Sequence, residues 1–347
     1  MKSLLPTLLY ILLLLTLQAN LYGQSDRCII SGYVLDRDTQ EPLIGVNVFV
    51  SGTLWGTSTD DNGYFQIKNI VAGSNVVVAS MVGYEARSRN LQLEKGEEFK
   101  LYFNLLPTVY NFDEVNVVGK RPREWYEYLK YFKMFFLGQS EYAWGCTISN
   151  EFLINLAIRN RRLIATCSKP VSVVNRGLGF RVDCVLRDFY YDFSNNSLSY
   201  VFQPKFVELI NRNKEEFDDW VENRERAHLG SLHHFLVSLV KGTYKEDGYF
   251  MWLTDKPEEN KSPEETISAD SILTKSRNDE KYTLKFDKYL QVKYIHKETV
   301  SWLKLIPQIV VLDEFAYPDV VVPFNINGDW GRLGVADMLP KYYFDLQ

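Results

Sequence analysis

The residues best suited to chemistry in this chain are four histidines, four cysteines and one cluster of acidic side chains ahead of a glycine. Residues 59–65 read TDDNGYF, and Asp60, Asp61 and Asn62 supply the oxygen atoms a calcium loop would use. An EF-hand loop keeps glycine at its sixth position and a bidentate glutamate at its twelfth. With Gly63 as the sixth, Ser58 falls first and Asn69 twelfth, and the flanks read as strands rather than helices. A hairpin turn fits better, with Asn62-Gly63 at its tip.

His228, His233 and His234 lie close together in the sequence, and His296 stands apart. On a helix, adjacent residues point about 100° apart, so His233 and His234 diverge, as do His228 and His233. That spacing predicts packed or surface imidazoles, not a zinc site. Cys184 in FRVDCVL keeps step with Phe180, Val182 and Leu186, and Cys146 with Trp144 and Ile148. Both read as buried small apolar residues. Cys28, Cys146, Cys167 and Cys184 allow three full pairings, and spacing does not choose among them. A G-x-S-x-G elbow, a phosphate-binding G-x-x-x-x-G-K-[ST] loop and a G-x-G-x-x-G turn are all missing from the sequence. RGLGF at 176–180 sits between strands and reads as a hairpin connection. The acidic pair Asp218-Asp219 reads as a solvated helix face. The sequence thus assigns no catalytic residue, no cofactor-binding residue and no metal ligand.

The elements around these residues are mostly strands. From residue 27 to 118, short runs such as CIISGYVLD, VNVFV, YFQIKNI and NVVVASM are separated by turn signals, which predicts an antiparallel β-sandwich. A helical linker is expected over 119–139: Trp125, Leu129, Phe132 and Phe136 recur at helical spacing, Gly138 is a stop, and Lys120, Arg121 and Arg123 form a solvated basic start. Residues 140–347 read as a β-rich α+β domain. Its helical stretch puts Phe217, Trp220, Val221, Arg224 and His228 on one face. A second stripe holds Leu232, Phe235, Leu236 and Leu239, with Gly230 dividing the helices and Ser231 capping the second. The polar segment 254–266, with two prolines, reads as a loop, and the end carries a short amphipathic piece with Leu333, Val335, Met338 and Leu339. The fold class expected is mainly β with some helix.

The chain has 347 residues, 46% hydrophobic and 24% charged, and ample aromatic content for packing across strands. A net charge of −5 leaves no electrostatic footprint for nucleic acid. Residues 1–23 have a charged start at Lys2 and an apolar run from Leu8 to Leu17, the layout of a secretory signal peptide. That run is too short to span a bilayer, which takes about 20 apolar residues, and no transmembrane helix is expected in the mature chain.

The front sequence, ISGYVLDRDTQEPLIGVNVFVSGTLWGTSTDDNGYF through VGY at Val82–Tyr84 to FDEVNVVG, resembles the carboxypeptidase-regulatory-like domain, a transthyretin-like β-sandwich common in exported Bacteroidota proteins. The segments WGCTISNEFLI, KPVSVVNRGLGFRVDCVLRDF, WVENRERAHLGSLHHFLVSL and GDWGRLGVADMLPKYY resemble the body of exported Bacteroidota proteins that carry this sandwich ahead of a second β-rich region. DSI at 270–272 resembles the short O-glycosylation signal of such proteins. The resemblance implies export, to the periplasm or the outer membrane, and it implies no peptidase activity. A zinc carboxypeptidase needs H-x-x-E, and none of the four histidines has Glu three residues on. A 22-stranded receptor barrel at roughly ten residues per strand does not fit after residue 118. The expected role is a non-enzymatic interaction or assembly module of the cell envelope, meeting another envelope protein or a surface glycan. The alternative is a carbohydrate-binding protein or an enzyme with its site in the C-terminal region.

Overall fold

A computed structural model of the chain describes residues 26–108, 121–257, 265–277, 280–320 and 322–344. The signal peptide expected over 1–23, the FDEVNVVG segment, Lys120 of the basic start and the middle of the 254–266 loop lie outside the described residues.

The front strands form two sheets. β1 (Cys28–Asp36) lies between β4 (Tyr64–Ile70) and β7 (Glu98–Leu105), while β2 (Asn47–Val50), β3 (Gly56–Ser58), β5 (Gly73–Ser80) and β6 (Arg87–Leu93) run in the order β3-β2-β5-β6. Strand alternation builds the core between them: Ile30, Val34, Phe65, Ile67 and Phe103 from one sheet face Val48, Val50, Val77 and Ala79 from the other. The sandwich is not wholly antiparallel, because β1 and β7 pair in parallel from Ile29↔Glu98 to Asp36↔Leu105. That pairing explains Gly32 in mid-strand: a Cβ there would lie 1.7 Å from the Leu101 carbonyl oxygen. Tyr84 of the VGY segment has a structural task too. Its hydroxyl donates to Asp36 Oδ2 at 2.8 Å, and the Asp38 and Thr39 N–H groups donate to Asp36 Oδ1.

The TDDNGYF stretch is a tight turn but not a hairpin. β3 and β4, on either side of it, belong to opposite sheets, so the turn carries the chain across the sandwich. Asp60 Oδ1 accepts the Asn62 and Tyr64 N–H groups, both at 2.9 Å, and only Gly63 of the Asn-Gly pair has a positive φ. The acidic side chain is thereby used on its own backbone.

Beyond residue 121 the chain builds a second body. α1 (Arg123–Leu137) buries Trp125, Leu129, Phe132, Phe136 and Leu137. It packs into the core of a six-stranded sheet made of β8 (Cys146–Ile148), β9 (Ile154–Arg159), β10 (Arg162–Cys167), β11 (Val171–Asn175), β12 (Phe180–Asp192) and β13 (Ser197–Glu208). β12 carries β13 along one edge and β11 then β10 along the other. Phe132 stacks on Phe136, and its ring centroid lies 4.9 Å from that of Phe189 in β12. α2 (Glu141–Trp144) is a single turn that leaves Trp144 89% exposed, so Trp144 is out of step with Cys146 and Ile148.

α3 (Lys214–His228) and α4 (Leu232–Lys241) lead to a second core. That core rests on the sheet β14 (Tyr249–Thr254), β17 (Tyr289–Tyr294), β18 (Thr299–Leu305) and β20 (Phe324–Gly328), and on the smaller sheet β15 (Leu273–Lys275), β16 (Tyr282–Leu284) and β19 (Val310–Leu312). α4 buries Phe235, Leu236 and Leu239 as its stripe requires, with Leu232 half-buried, and Ser231 accepts the His234 N–H at its start. α3 differs from its helical projection. Trp220 and Arg224 are its buried residues, while Phe217 and Val221 stand 43% and 42% exposed.

All four cysteines are free thiols. Burial holds the Cys146, Cys167 and Cys184 thiols above the usual range, Cys146 at about 12. None of them is poised as a thiolate nucleophile.

The two bodies are joined by main chain as well as by side chains. The Gly52 N–H donates to the Pro204 carbonyl at 2.7 Å, the Phe206 N–H to Thr53, and the Lys341 N–H back to Gly52. Phe49 and Val78, which point away from the sandwich core, are buried with Val185 of β12. Trp55 stacks on Tyr342.

Candidate functional site

A cavity of about 460 Å³ opens where the six-stranded sheet meets the second core. β13 contributes Tyr200 and Phe202, β20 contributes Phe324 and Ile326, and α4 contributes Leu232, His233 and Leu236. Ala227 and His228 end α3 at the rim, and the irregular stretch from Leu333 to Phe344 closes the far wall. The size falls in the range of small-molecule sites, and so does the mix of an apolar wall with few polar groups.

The corner between α3 and α4 sets the polar groups. Lys297 Nζ reaches the Arg226 and Leu229 carbonyls at 2.6 Å each, satisfying orphan acceptors at the end of α3. Trp330 Nε1 donates to the Gly230 carbonyl at 2.7 Å. The turn between these anchors brings three rings together: His228 lies 5.9 Å from His233 and 5.1 Å from His234, centroid to centroid. Projection onto one helix separates these side chains. The reversal at Gly230 reunites them, because His228 ends one helix and the other two begin the next. His296 stays apart, its ring 5.3 Å from that of Tyr294.

Two of the three imidazoles are already engaged. His233 Nε2 lies 3.0 Å from the Phe315 carbonyl, which can only accept, so that nitrogen carries the proton. Its ring stacks on Tyr317 at 4.2 Å. His234 Nδ1 accepts the Gly230 N–H and sits 2.7 Å from the Tyr249 hydroxyl. His228 packs its ring 4.4 Å from Phe344, and the ring makes no hydrogen bond among the described residues. Burial depresses all three, His228 to about 3 and His233 to about 4, so they stand neutral at physiological pH. Among the described residues no three His, Cys, Asp or Glu side chains are placed to hold a metal ion.

Among the described residues Asp337 is the one charged side chain lining the cavity. Its Oδ2 accepts the Gly334 N–H at 3.0 Å, and burial raises its pKa. The lining therefore offers apolar contact and neutral hydrogen bonding, with no activated nucleophile.

A second cleft, of about 480 Å³, lies between the sandwich and the six-stranded sheet. Lys169, Arg181 and Lys205 line it with Asp183, which pairs with Arg181 at 3.2 Å; Lys205 Nζ donates to Asn47 Oδ1 at 3.0 Å.

The front body is a two-sheet sandwich whose acidic turn is spent on its own backbone, which makes it a structural or binding module. Residues 30–117 match the family model of the CarboxypepD_reg-like domain, so this part of the chain is a carboxypeptidase-regulatory-like domain, a family that is not itself catalytic. No protein of curated function matches the chain.

Solved structures with partial likeness include a type II cohesin–X-dockerin complex of Acetivibrio cellulolyticus, 28% identical over 23% of this chain and 56% of that one, with a TM-score of 0.19. Another is 3-chlorocatechol 1,2-dioxygenase of Rhodococcus opacus, 16% identical over 24% of this chain and 61% of that one, at 0.20. A third is the minor pilin of Streptococcus agalactiae, 17% identical over 28% of this chain and 47% of that one, also at 0.20. The chain spans between about half and three-fifths of the length of these structures. Likeness this slight does not carry the family assignment past the sandwich. Among the described residues no helix is long and apolar enough to cross a membrane.

Sequence reading missed the cavity because its walls come from β13, α4, β20 and the stretch 333–344. His228 carried the one local signal, and its meaning depends on the reversal at Gly230.

Proposed function

We propose that the protein is a non-enzymatic binding module of the cell envelope, exported to the periplasm or the outer membrane. The regulatory-like sandwich braces the second body, and the apolar cavity of that body holds a small ligand. The cavity is the observation that carries this reading: an apolar wall, neutral imidazoles and one committed carboxylate suit retention rather than turnover. The N-terminal sequence of residues 1–23 supports the location. Each sheet of the sandwich ends in edge strands, β4 and β7 in one and β3 and β6 in the other, and such edges are a place for another envelope protein or a surface glycan to meet it.

Native mass spectrometry of the protein recovered from cell envelopes tests the reading. We expect a bound small molecule that is absent from Ile326→Trp, in which the indole fills the cavity. Recovery from the cytosol, or a protein that stays empty after incubation with a total envelope extract, would overturn it.

A further inference from the structure

We propose that the cavity takes an uncharged amphiphile, an alkyl body carrying a hydroxyl, ester or amide group, and that this polar group pairs with His228. The proposal rests on the reading of the cavity as a ligand site and adds the class of ligand.

Phe202, Leu236, Phe324, Ile326, Leu339 and Phe344 line the space where an apolar body would lie, and each stands to gain from losing contact with water. The head group is decided by what the polar lining has left to give. Ser231 Oγ accepts the His234 N–H, and Asp337 Oδ2 accepts the Gly334 N–H. Tyr343 Oη accepts from Arg224. His233 has committed its N–H to Phe315 and keeps only a lone pair on Nδ1. His228 keeps both an N–H and a lone pair on its ring without a hydrogen-bonding partner among the described residues, and the hydroxyls of Tyr200, Ser231 and Tyr343 add neutral donors and acceptors to the same lining. A ligand head group would take the place of water at this half-buried imidazole. A hydroxyl, which both donates and accepts, matches it group for group.

Charge excludes the commoner amphiphiles. Among the described residues no lysine or arginine lines the cavity, so a carboxylate or phosphate head would give up its hydration without a counter-charge in the lining itself. Among the described residues an ammonium head would find only Asp337 in the lining, and that carboxyl already holds the Gly334 N–H.

The test compares three probes of one chain length, 1-decanol, decanoate and decylammonium, each kept below its aggregation limit. Binding to the full chain is measured by isothermal titration at pH 7.5. We expect decanol to bind about tenfold or more tightly than either ion, and His228→Phe to lose about tenfold for decanol, the worth of one hydrogen bond. His228→Asn, which restores a donor and an acceptor, should recover part of that loss, and a thermal melt confirms that both variants are folded. Equal binding of all three probes, or tighter binding of an ion, overturns the ligand class while leaving the cavity as a site. If no probe binds and Ile326→Trp behaves as the parent does, both the class and the site fail.

Discussion

Arg224 shows how much one side chain can organise. Its guanidinium is 1% exposed, donates from Nε to the Leu178 carbonyl at 2.7 Å and from Nη2 toward Gly179, and pairs through Nη1 with Glu208 and the Tyr343 hydroxyl. The same group lies 4.0 Å over the Phe180 ring. A buried cation is tolerable only when so fully partnered. In sequence it is one more charge on a charged helix, because its partners lie far along the chain on either side. The histidines carry the opposite lesson, since they are buried neutral and cannot accept a proton cheaply. Unfolded imidazoles titrate near 6.5, whereas His228 and His233 in the fold titrate near 3 and 4. Between those values the unfolded chain binds more protons, so their contribution to stability is full above about pH 6.5 and is lost as the pH falls toward 4. Asp313, raised by burial to about 6, and Asp337, raised by burial as well, act in the other direction, but three depressed imidazoles stand against these two carboxyls. The groups whose charges bear on these rings are His234, Lys241 and Lys341, with the Phe315 carbonyl bonded to His233. Urea midpoints should therefore drop between pH 7.5 and 5.0, and His228→Phe should make the drop shallower. An unchanged slope in the variant would show that His228 is not held neutral.

At the scale of elements, alternation and helical period were readable wherever one face meets a core. α1 is the clearest case, since its buried residues are the apolar stripe and one neighbour. Phe217 and Val221 of α3 were misplaced by the same logic. That helix is held less by an apolar stripe than by hydrogen bonds to a hairpin. Trp220 Nε1, Asn223 Nδ2 and Arg224 Nε donate to the carbonyls of Arg176, Gly177 and Leu178, so the β11–β12 turn is gripped along its backbone. RGLGF was readable as a hairpin connection, but not as the surface on which α3 sits. Gly179 is the close-contact point, with φ +69° and an added Cβ only 2.3 Å from Trp220 Cδ2. Gly179→Ala combines left-handed strain with overpacking and should cost about 2–4 kcal/mol. Because α3 carries His228 to the cavity, the thermal midpoint and ligand affinity should fall together. A midpoint within a degree of the parent would mean that the helix can shift without penalty.

At the scale of the whole molecule, the union of the two bodies is not written in residue type, and the helix at 123–137 belongs to the core of the second body rather than linking the two. The sandwich turns the outer face of its β3-β2-β5-β6 sheet to β12 and β13, burying Phe49 and Val78 that a free sandwich would expose. The Gly52–Thr53 turn also lends its backbone to β13, one N–H and one carbonyl in each direction. Such main-chain pairing leaves no trace in residue type, since any sequence has N–H and C=O groups to offer. It does predict joint melting, because neither body can leave without breaking backbone bonds and exposing apolar surface. Calorimetry on the full chain should show one transition. Phe49 offers a clean way to separate the two, because it is 2% exposed yet lies outside the sandwich core cluster. Phe49→Asp places an unpaired carboxylate in that contact, and several kcal/mol of coupling should be lost. The single transition should then split in two, with the sandwich retaining its own cooperative unfolding. If Phe49→Asp still melts in one step at the parent temperature, the bodies are not coupled through this contact, and the bracing role proposed for the sandwich fails with it.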